Sequence, residues 1–397
     1  MSPEVFPLFK KSLLITLILS LSLLWISGCW STRELDRLAI VLGTGVDLEK
    51  DGQVKLSLQI VKPSEMKVGS EGGTGGPGKP ALLLSHQGQT VFDAVRNFIA
   101  INSRRMLFSH NQVVIFGESL AENGIGSVLD FFERDPELRE GAFLVIARGE
   151  AQDILAVPGG LEKVSALAFY NALSASDFLS KAMKVTFNDF LLAYNNKASA
   201  AVAPRIEVLK EAGEADEHFR IDGMAVFRKD KLAGWLTERE TRGLLWVLGK
   251  VKSGILVLQD DPGGQDGQIS MEIIKAKSKI KADFEEGKPS ITVEIEEESN
   301  IGEETKPIDL TIPEKIKEIE QKQAALITNE IEAALHKAQI LNADIFRFGE
   351  ELHRADPKAW SEIKDRWEEE FPDLEVQIKV ITKVHHIGEK TKPSAPK

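Results

Sequence analysis

Cys29 is the only cysteine in a chain of 397 residues. It closes an apolar segment that starts after Lys10 and Lys11, runs through Leu13, Leu14, Ile15, Leu17, Ile18 and Leu19, and ends Leu24-Trp25-Ile26-Ser27-Gly28-Cys29. A basic start, an apolar middle and small residues at the end are the three parts of a secretory signal. A thiol at that end is a nucleophile placed where an exported chain is cut. A single thiol also suits export, because it has no partner for an internal disulfide, and a thiol consumed by modification leaves nothing to oxidise. Two other readings fit the same residues. Ser12 to Gly28 is ~17 residues, the lower edge for an uncleaved spanning helix. The segment also fits an ordinary secretory signal with an incidental cysteine.

The remaining residues with chemical potential do not assemble into a catalytic set. His86, His110, His218, His336, His353, His385 and His386 lack the spacing of zinc ligands. His385 and His386 are neighbours in a strand-like run and so point to opposite faces. Gly73-Thr74-Gly75-Gly76-Pro77-Gly78-Lys79 begins like a phosphate-binding loop, but Pro80 stands where a magnesium-holding Ser or Thr is needed. Gly43-Thr44-Gly45 lacks the third glycine of a dinucleotide loop, and Asp260, Asp261 and Asp266 miss calcium-loop spacing. No Gly-x-Ser-x-Gly elbow occurs. The runs Glu296-Glu297-Glu298 and Glu368-Glu369-Glu370 are read as solvated faces. No catalytic residue, metal site or cofactor is expected, and the chain is not read as an enzyme.

The elements around these residues are those of a globular α+β protein with mixed, largely antiparallel sheets, packed helices and two to three subdomains. Removing residues 1–28 takes away Lys10, Lys11 and Glu4, which moves the net charge from −12 to −13. Such an acidic surface argues against nucleic acid and against broad adhesion to anionic lipid. Leu38–Val46 and the alternating Val54–Ile60 read as a hairpin of strands, and Val91, Phe92, Val95, Phe98 and Ile99 as a helix. Strands follow at Val113–Phe116, Phe143–Ala147 and Val202–Leu209, with helical stretches between them. Phe219–Leu236 reads as a second hairpin. Pro313 opens a long helix whose apolar stripe is interrupted by Gln323 and is expected to pack on a sheet. The resulting division is a signal segment, 1–28; an N-terminal unit, 29–210, with a helical part near 160–200; an acidic linker, 211–217; a C-terminal unit, 218–388; and a polar tail, 389–397.

Ile26-Ser27-Gly28-Cys29 resembles the bacterial lipobox, in which the cysteine sulfur receives a diacylglycerol and the chain is cut between the residues equivalent to Gly28 and Cys29. Further segments resemble the Ger(x)C spore germination lipoproteins, the C subunits of nutrient germinant receptors. These are Gly28-Cys29-Trp30 with Arg33-Glu34-Leu35-Asp36, then Phe108–Glu118 with Arg134-Asp135. Gly223–Leu236 with Glu240-Thr241-Arg242-Gly243 and Trp246 follows, and then Asn342–Glu350 with Trp360 and Trp367. The resemblance implies a protein lipid-anchored on the outer face of the inner spore membrane. It implies integral-membrane A and B subunits as partners, and no catalytic activity. From the residues alone, Trp235, Trp246 and Asn342–Glu350 read as core before ligand pocket, and His110 as a structural histidine. The alternative is a ligand-binding lipoprotein of a transport system, for which a deep cleft between lobes would speak. Which residues bind a ligand is left open.

Overall fold

The computed structural model describes residues 13–16, 38–62, 80–102, 104–134, 139, 141–210, 217–259, 267–305, 310 and 312–386. Gly28, Cys29, Arg33–Asp36, Gly73–Lys79, Asp260–Asp266 and the polar tail lie outside the described residues, as does 211–216.

The elements of the first sheet run β1 (Leu38–Leu48), β2 (Val54–Val61), β3 (Ala81–Gly88), α1 (Val91–Ile101), β4 (Arg105–Leu107), β5 (Val113–Phe116), α2 (Glu118–Asn123), α3 (Gly126–Arg134), β6 (Phe143–Ala147), α4 (Ala151–Ala156), α5 (Ser165–Ser174), α6 (Phe187–Tyr194), β7 (Val202–Leu209), β8 (His218–Arg228) and β9 (Lys231–Leu236). The strand order is β3-β2-β1-β5-β6-β7-β8-β9, with β4 beside the start of β1. The centre, β1-β5-β6-β7, is parallel. Parallel neighbours need long crossovers, which the intervening helices supply. These crossovers cover both faces, so β5 and β6 are apolar on both. Val114, Phe116, Leu144 and Ile146 belong to one core, and Val113, Ile115, Phe143 and Val145 to the other.

The second group is α7 (Glu238–Val247), β10 (Ile255–Gln259), β11 (Gln268–Glu285), β12 (Lys288–Glu304), α8 (Pro313–Leu341), α9 (Phe348–Ala355), α10 (Pro357–Ile363), α11 (Trp367–Glu370) and β13 (Val376–His386). Its sheet has the order β10-β11-β12-β13, with only β12 and β13 parallel. The expected mixed class therefore holds for both sheets.

Helix α8 has 29 residues and starts on Pro313, where a missing N–H costs nothing. Its N-terminal half lies on the second sheet, where the Thr382 hydroxyl donates to the Glu320 carbonyl. Its C-terminal half crosses α7 and ends against β9, with Leu341 over Gly234. The expected packing on a sheet is thus right for half the helix, while the other half joins the two sheets.

The stretch 211–217, read as a linker between units, connects two antiparallel neighbours of one sheet. β7 pairs with β8 from Leu209 opposite His218 to Val202 opposite Val226. β8 and β9, assigned from sequence to the second unit, are strands of the first sheet. A surface hairpin connection and an interdomain linker have the same acidic, apolar-poor composition, so composition does not separate them.

Candidate interaction surface

Three of the four distinctive segments lie among the described residues, and they sit at junctions where their polar groups are engaged. Asp344 is buried. Its carboxylate accepts from the backbone N–H groups of Phe346, Phe348 and Gly349 and from the Trp367 indole at 2.9–3.2 Å. Burial raises its pKa from 3.8 to about 6, against the lowering effect of those donors. A Cβ on Gly349 would lie 2.6 Å from the Ala198 carbonyl oxygen and 2.8 Å from the Trp360 ring, so glycine lets α9 seat against the 196–200 loop. The Ala200 N–H in turn donates to the Asp344 carbonyl at 2.8 Å. Asn342–Glu350 is core, as its aromatics suggested, and it clamps the first group of elements to the second.

The segment Glu240–Trp246 lies in α7 at its crossing with α8. Thr237 and Glu240 form a reciprocal cap at the start of α7. Arg242 pairs with both oxygens of buried Glu330, and the Trp246 indole donates to Glu330 Oε2 at 3.0 Å. Any Cβ on Gly243 would overlap the Glu330 carbonyl oxygen, so the two helices touch backbone to backbone. Trp246 is 1 % exposed and is a core anchor. Trp235 is only half-buried, with the Arg148 guanidinium 5.4 Å over its ring. His110, expected to be a structural histidine, is exposed on the turn before β5, because burial there falls to the adjacent Asn111.

At the ends of β1, β5 and β6, Asp47 accepts from the first N–H groups of α4, Ala151 at 2.7 Å and Gln152 at 3.0 Å. Burial lifts its pKa to about 6, and the two N–H groups partly oppose the rise. Glu118 accepts from the Gly149 N–H at 3.0 Å. These carboxylates hold helices and loops to strand ends. Among the described residues, no three His, Cys, Asp or Glu side chains converge as a metal site.

The two acid-rich runs differ from each other. Glu368 is exposed near Arg228 and Lys229 of the β8–β9 turn, as a solvated face should be. Glu296 and Glu298 point outward from β12, opposite Lys277 and Lys275 of β11, and Lys383 of β13 lies beside Glu298. Glu297 between them is 1 % exposed, which corrects the solvated reading, since alternation in a strand sends the middle residue inward. There it accepts from Gln323 Nε2 at 2.7 Å, and Gln323 also bonds Ser299. The polar break in the α8 stripe is the partner of the buried acid. Burial raises the Glu297 pKa from 4.5 to about 8, against the effect of its hydrogen bonds.

Two concavities among the described residues bear on an interaction surface. A polar cleft of about 550 Å³ lies between the two groups of elements. It is lined by Asp177, Lys184, Lys252, Ser278, Arg347 and Glu351, among others, and Asp177 binds Lys184 at 2.9 Å and Lys252 at 2.7 Å. The other is an apolar groove of about 880 Å³ along α1, between it and α3. Helix α1 has two apolar stripes. Val91, Ala94 and Phe98 face the sheet, while Phe92, Val95 and Ile99 turn toward the groove. Phe92 and Ile99 are 52 % and 66 % exposed, so the second stripe is largely uncovered. In the sequence these apolar residues read as one helix, and the structure splits them into two stripes whose combined width exceeds what one sheet can cover.

A nine-strand mixed sheet, a four-strand sheet and a long helix joining them, with three of the distinctive segments at the junctions, are the architecture on which a spore germination family match falls. Residues 31–208 match the family described as spore germination protein N-terminal domain, and residues 222–388 match spore germination B3/GerAC like, C-terminal. The two matches run in order along most of the chain, and the protein belongs to this family. It is 28 % identical over 400 residues to spore germination protein KC of Bacillus subtilis (strain 168), covering 97 % of this chain and 98 % of that protein. It is 25 % identical over 375 residues to spore germination protein B3 of the same organism, covering 92 % and 96 %. The crystal structure of the GerBC protein shares the fold, with a TM-score of 0.54 and 23 % identity over 86 % of this chain and 96 % of that one.

Proposed function

We propose that the protein is a lipid-anchored accessory subunit of a nutrient germinant receptor. It acts with integral-membrane A and B subunits on the outer face of the inner spore membrane. The carrying observation is Cys29. A lone thiol closes a signal-like segment, directly ahead of a chain that matches spore germination proteins over nearly its whole length. Cleavage before Cys29 makes it the mature N-terminus, and a diacylglyceryl group supplies the two chains that stable anchoring needs. Among the described residues, no helix is long and apolar enough to cross a membrane. The protein works by binding, without chemistry of its own. The polar side chains of its distinctive segments are engaged in holding elements together. A tether raises the local concentration of the domain beside an integral partner, so a modest interface suffices.

The test is Cys29→Ala with export preserved by a conventional signal. Mass spectrometry of the wild-type protein should find diacylglycerol on an N-terminal Cys29. The variant should fold and should weaken nutrient-triggered germination. A full response from the untethered variant at native expression removes tethering from the mechanism. Turnover of a substrate by the purified protein would refute the binding-only reading.

A further inference from the structure

We propose that the α1–α3 groove is a docking face for the anionic bilayer surface in which the Cys29 lipid is seated. The proposal rests on the anchored reading above and adds a second, oriented contact to it.

The position of the groove comes first. β4 hydrogen-bonds to the start of β1, with Leu38 opposite Arg105. Arg104, Arg105 and Met106 line the adjoining end of the groove. Leu38 is nine residues from Cys29. A fully extended chain of that length reaches about 30 Å, so a lipidated Cys29 keeps this end of the groove within about 30 Å of the membrane. Leu38, the start of β1, and the uncovered apolar groove therefore adjoin each other, at the end of the described chain that leads to Cys29.

The chemistry comes second. The lining holds Arg96, Arg104 and Arg105, while Arg134 is paired with the single lining acid, Asp130, at 2.9 Å, in a chain whose net charge is −12. Around these guanidinium groups stand Phe92, Val95, Ile99 and Phe131, and Ile101 next to them is 52 % exposed. Arg96 lies 4.9 Å over the Phe92 ring, so the stem and the ring present one surface with the charge at its rim. On α1 the apolar Phe92, Val95 and Ile99 flank Arg96, and Arg104 and Arg105 add charge at the β4 end, an apolar face with a basic rim of the kind that seats at a bilayer interface. Anionic headgroups attract basic groups within a Debye length, and the acidic remainder of the surface is repelled, so the field favours one orientation. A soluble peptide helix would fill the groove equally well, but nothing about it would require the arginine rim or the nearness of the tether.

The experiment uses the full lipidated protein and its single native cysteine. Ile99→Cys and, separately, Ile381→Cys on exposed β13 are labelled with a nitroxide and reconstituted into vesicles of phosphatidylglycerol and phosphatidylcholine, or of phosphatidylcholine alone. Power-saturation electron spin resonance reads the immersion depth of the label. The expected result is one label per chain, with immersion at the headgroup–acyl boundary for position 99 in anionic vesicles. Position 381 should remain in water, and Arg96→Glu with Arg104→Glu should abolish immersion. Each arginine lost should lower the docked-to-free ratio about fivefold. Two labels per chain would mean an unmodified Cys29 and would overturn both the anchor and the docking built on it. One label with position 99 in water, or with 99 and 381 equally immersed, overturns the docking face alone. Shielding of position 99 only when integral-membrane receptor subunits co-purify assigns the groove to a protein and refutes the lipid occupant. Circular dichroism of each variant checks the fold, which exposed Ile99 does not support.

Discussion

Substituting Glu297→Gln should abolish a specific loss of stability at alkaline pH. Glu297 is 1 % exposed, beneath α8, with Gln323 and Ser299 as partners and Thr382 beside it on β13. Its Oε1 has no partner among the described residues. A bare buried oxygen is far more costly on a carboxylate than on a neutral acid. Its pKa is accordingly raised from 4.5 to about 8, with burial as the first cause and the neighbouring Glu298 adding to it. The folded protein keeps the proton over a range in which the unfolded chain has lost it. The stabilisation is complete below the unfolded value near 4.5 and is lost as pH rises through the folded value near 8. The slope is about 1.4 kcal/mol per pH unit, or ~2.5 kcal/mol between about pH 6 and about pH 8. Asp47 and Asp344 shift in the same direction but only to about 6, so they contribute little slope in that window. Urea denaturation from about pH 6 to about pH 8.5 is the assay. At about pH 6 the variant should already be more stable than wild type by about 2 kcal/mol, give or take the ~1 kcal/mol cost of exchanging one acceptor for another, because the unfolded wild-type glutamate is ionised there. Its advantage should grow toward the alkaline end. Parallel loss of stability in the two proteins would refute a neutral Glu297.

Asp344→Asn should cost about 1–3 kcal/mol, because an uncharged amide accepts less strongly from three backbone N–H groups and the Trp367 indole; thermal unfolding with Trp fluorescence reads it. Gly243→Ala should cost about 1–3 kcal/mol by forcing α7 from the Glu330 backbone, and the shift in urea midpoint checks this. A proteolytic nick within 211–216 should leave the two fragments associated on gel filtration, because the β7–β8 ladder stays paired; separation of the fragments would mean that each unit stands alone.

The strands β1, β5 and β6 were legible because burial on both faces writes a continuous apolar run, and α1 because its stripe repeats at helical spacing. β3 was missed. Its Leu82-Leu83-Leu84 run carries no alternation, being only partly covered as the edge of the sheet. Sheet membership was less legible than the elements, since pairing β7 with β8 depends on register across 210–217 and not on local pattern. Gln323 and Glu297 show the same limit. Each looked like an isolated irregularity, a break in a stripe and the middle of an acid run. They explain one another only once α8 is laid on β12. The groove went unread in the sequence, where α1 is one apolar helix; only the structure shows that it has more apolar circumference than its sheet can hide.

The 29 residues of α8 make a rod about 43 Å long with one end on each sheet. Its far end answers to small rotations. A tilt of about 5° carries that end about 4 Å, nearly the spacing between neighbouring strands. Backbone contact at Gly243 and the Asp344 clamp fix the fulcrum near the first sheet. The outward lysine and glutamate rows of β11–β13 therefore ride on a lever arm. Wherever the first sheet is held, the height and angle of that charged face are set from the other end of the molecule.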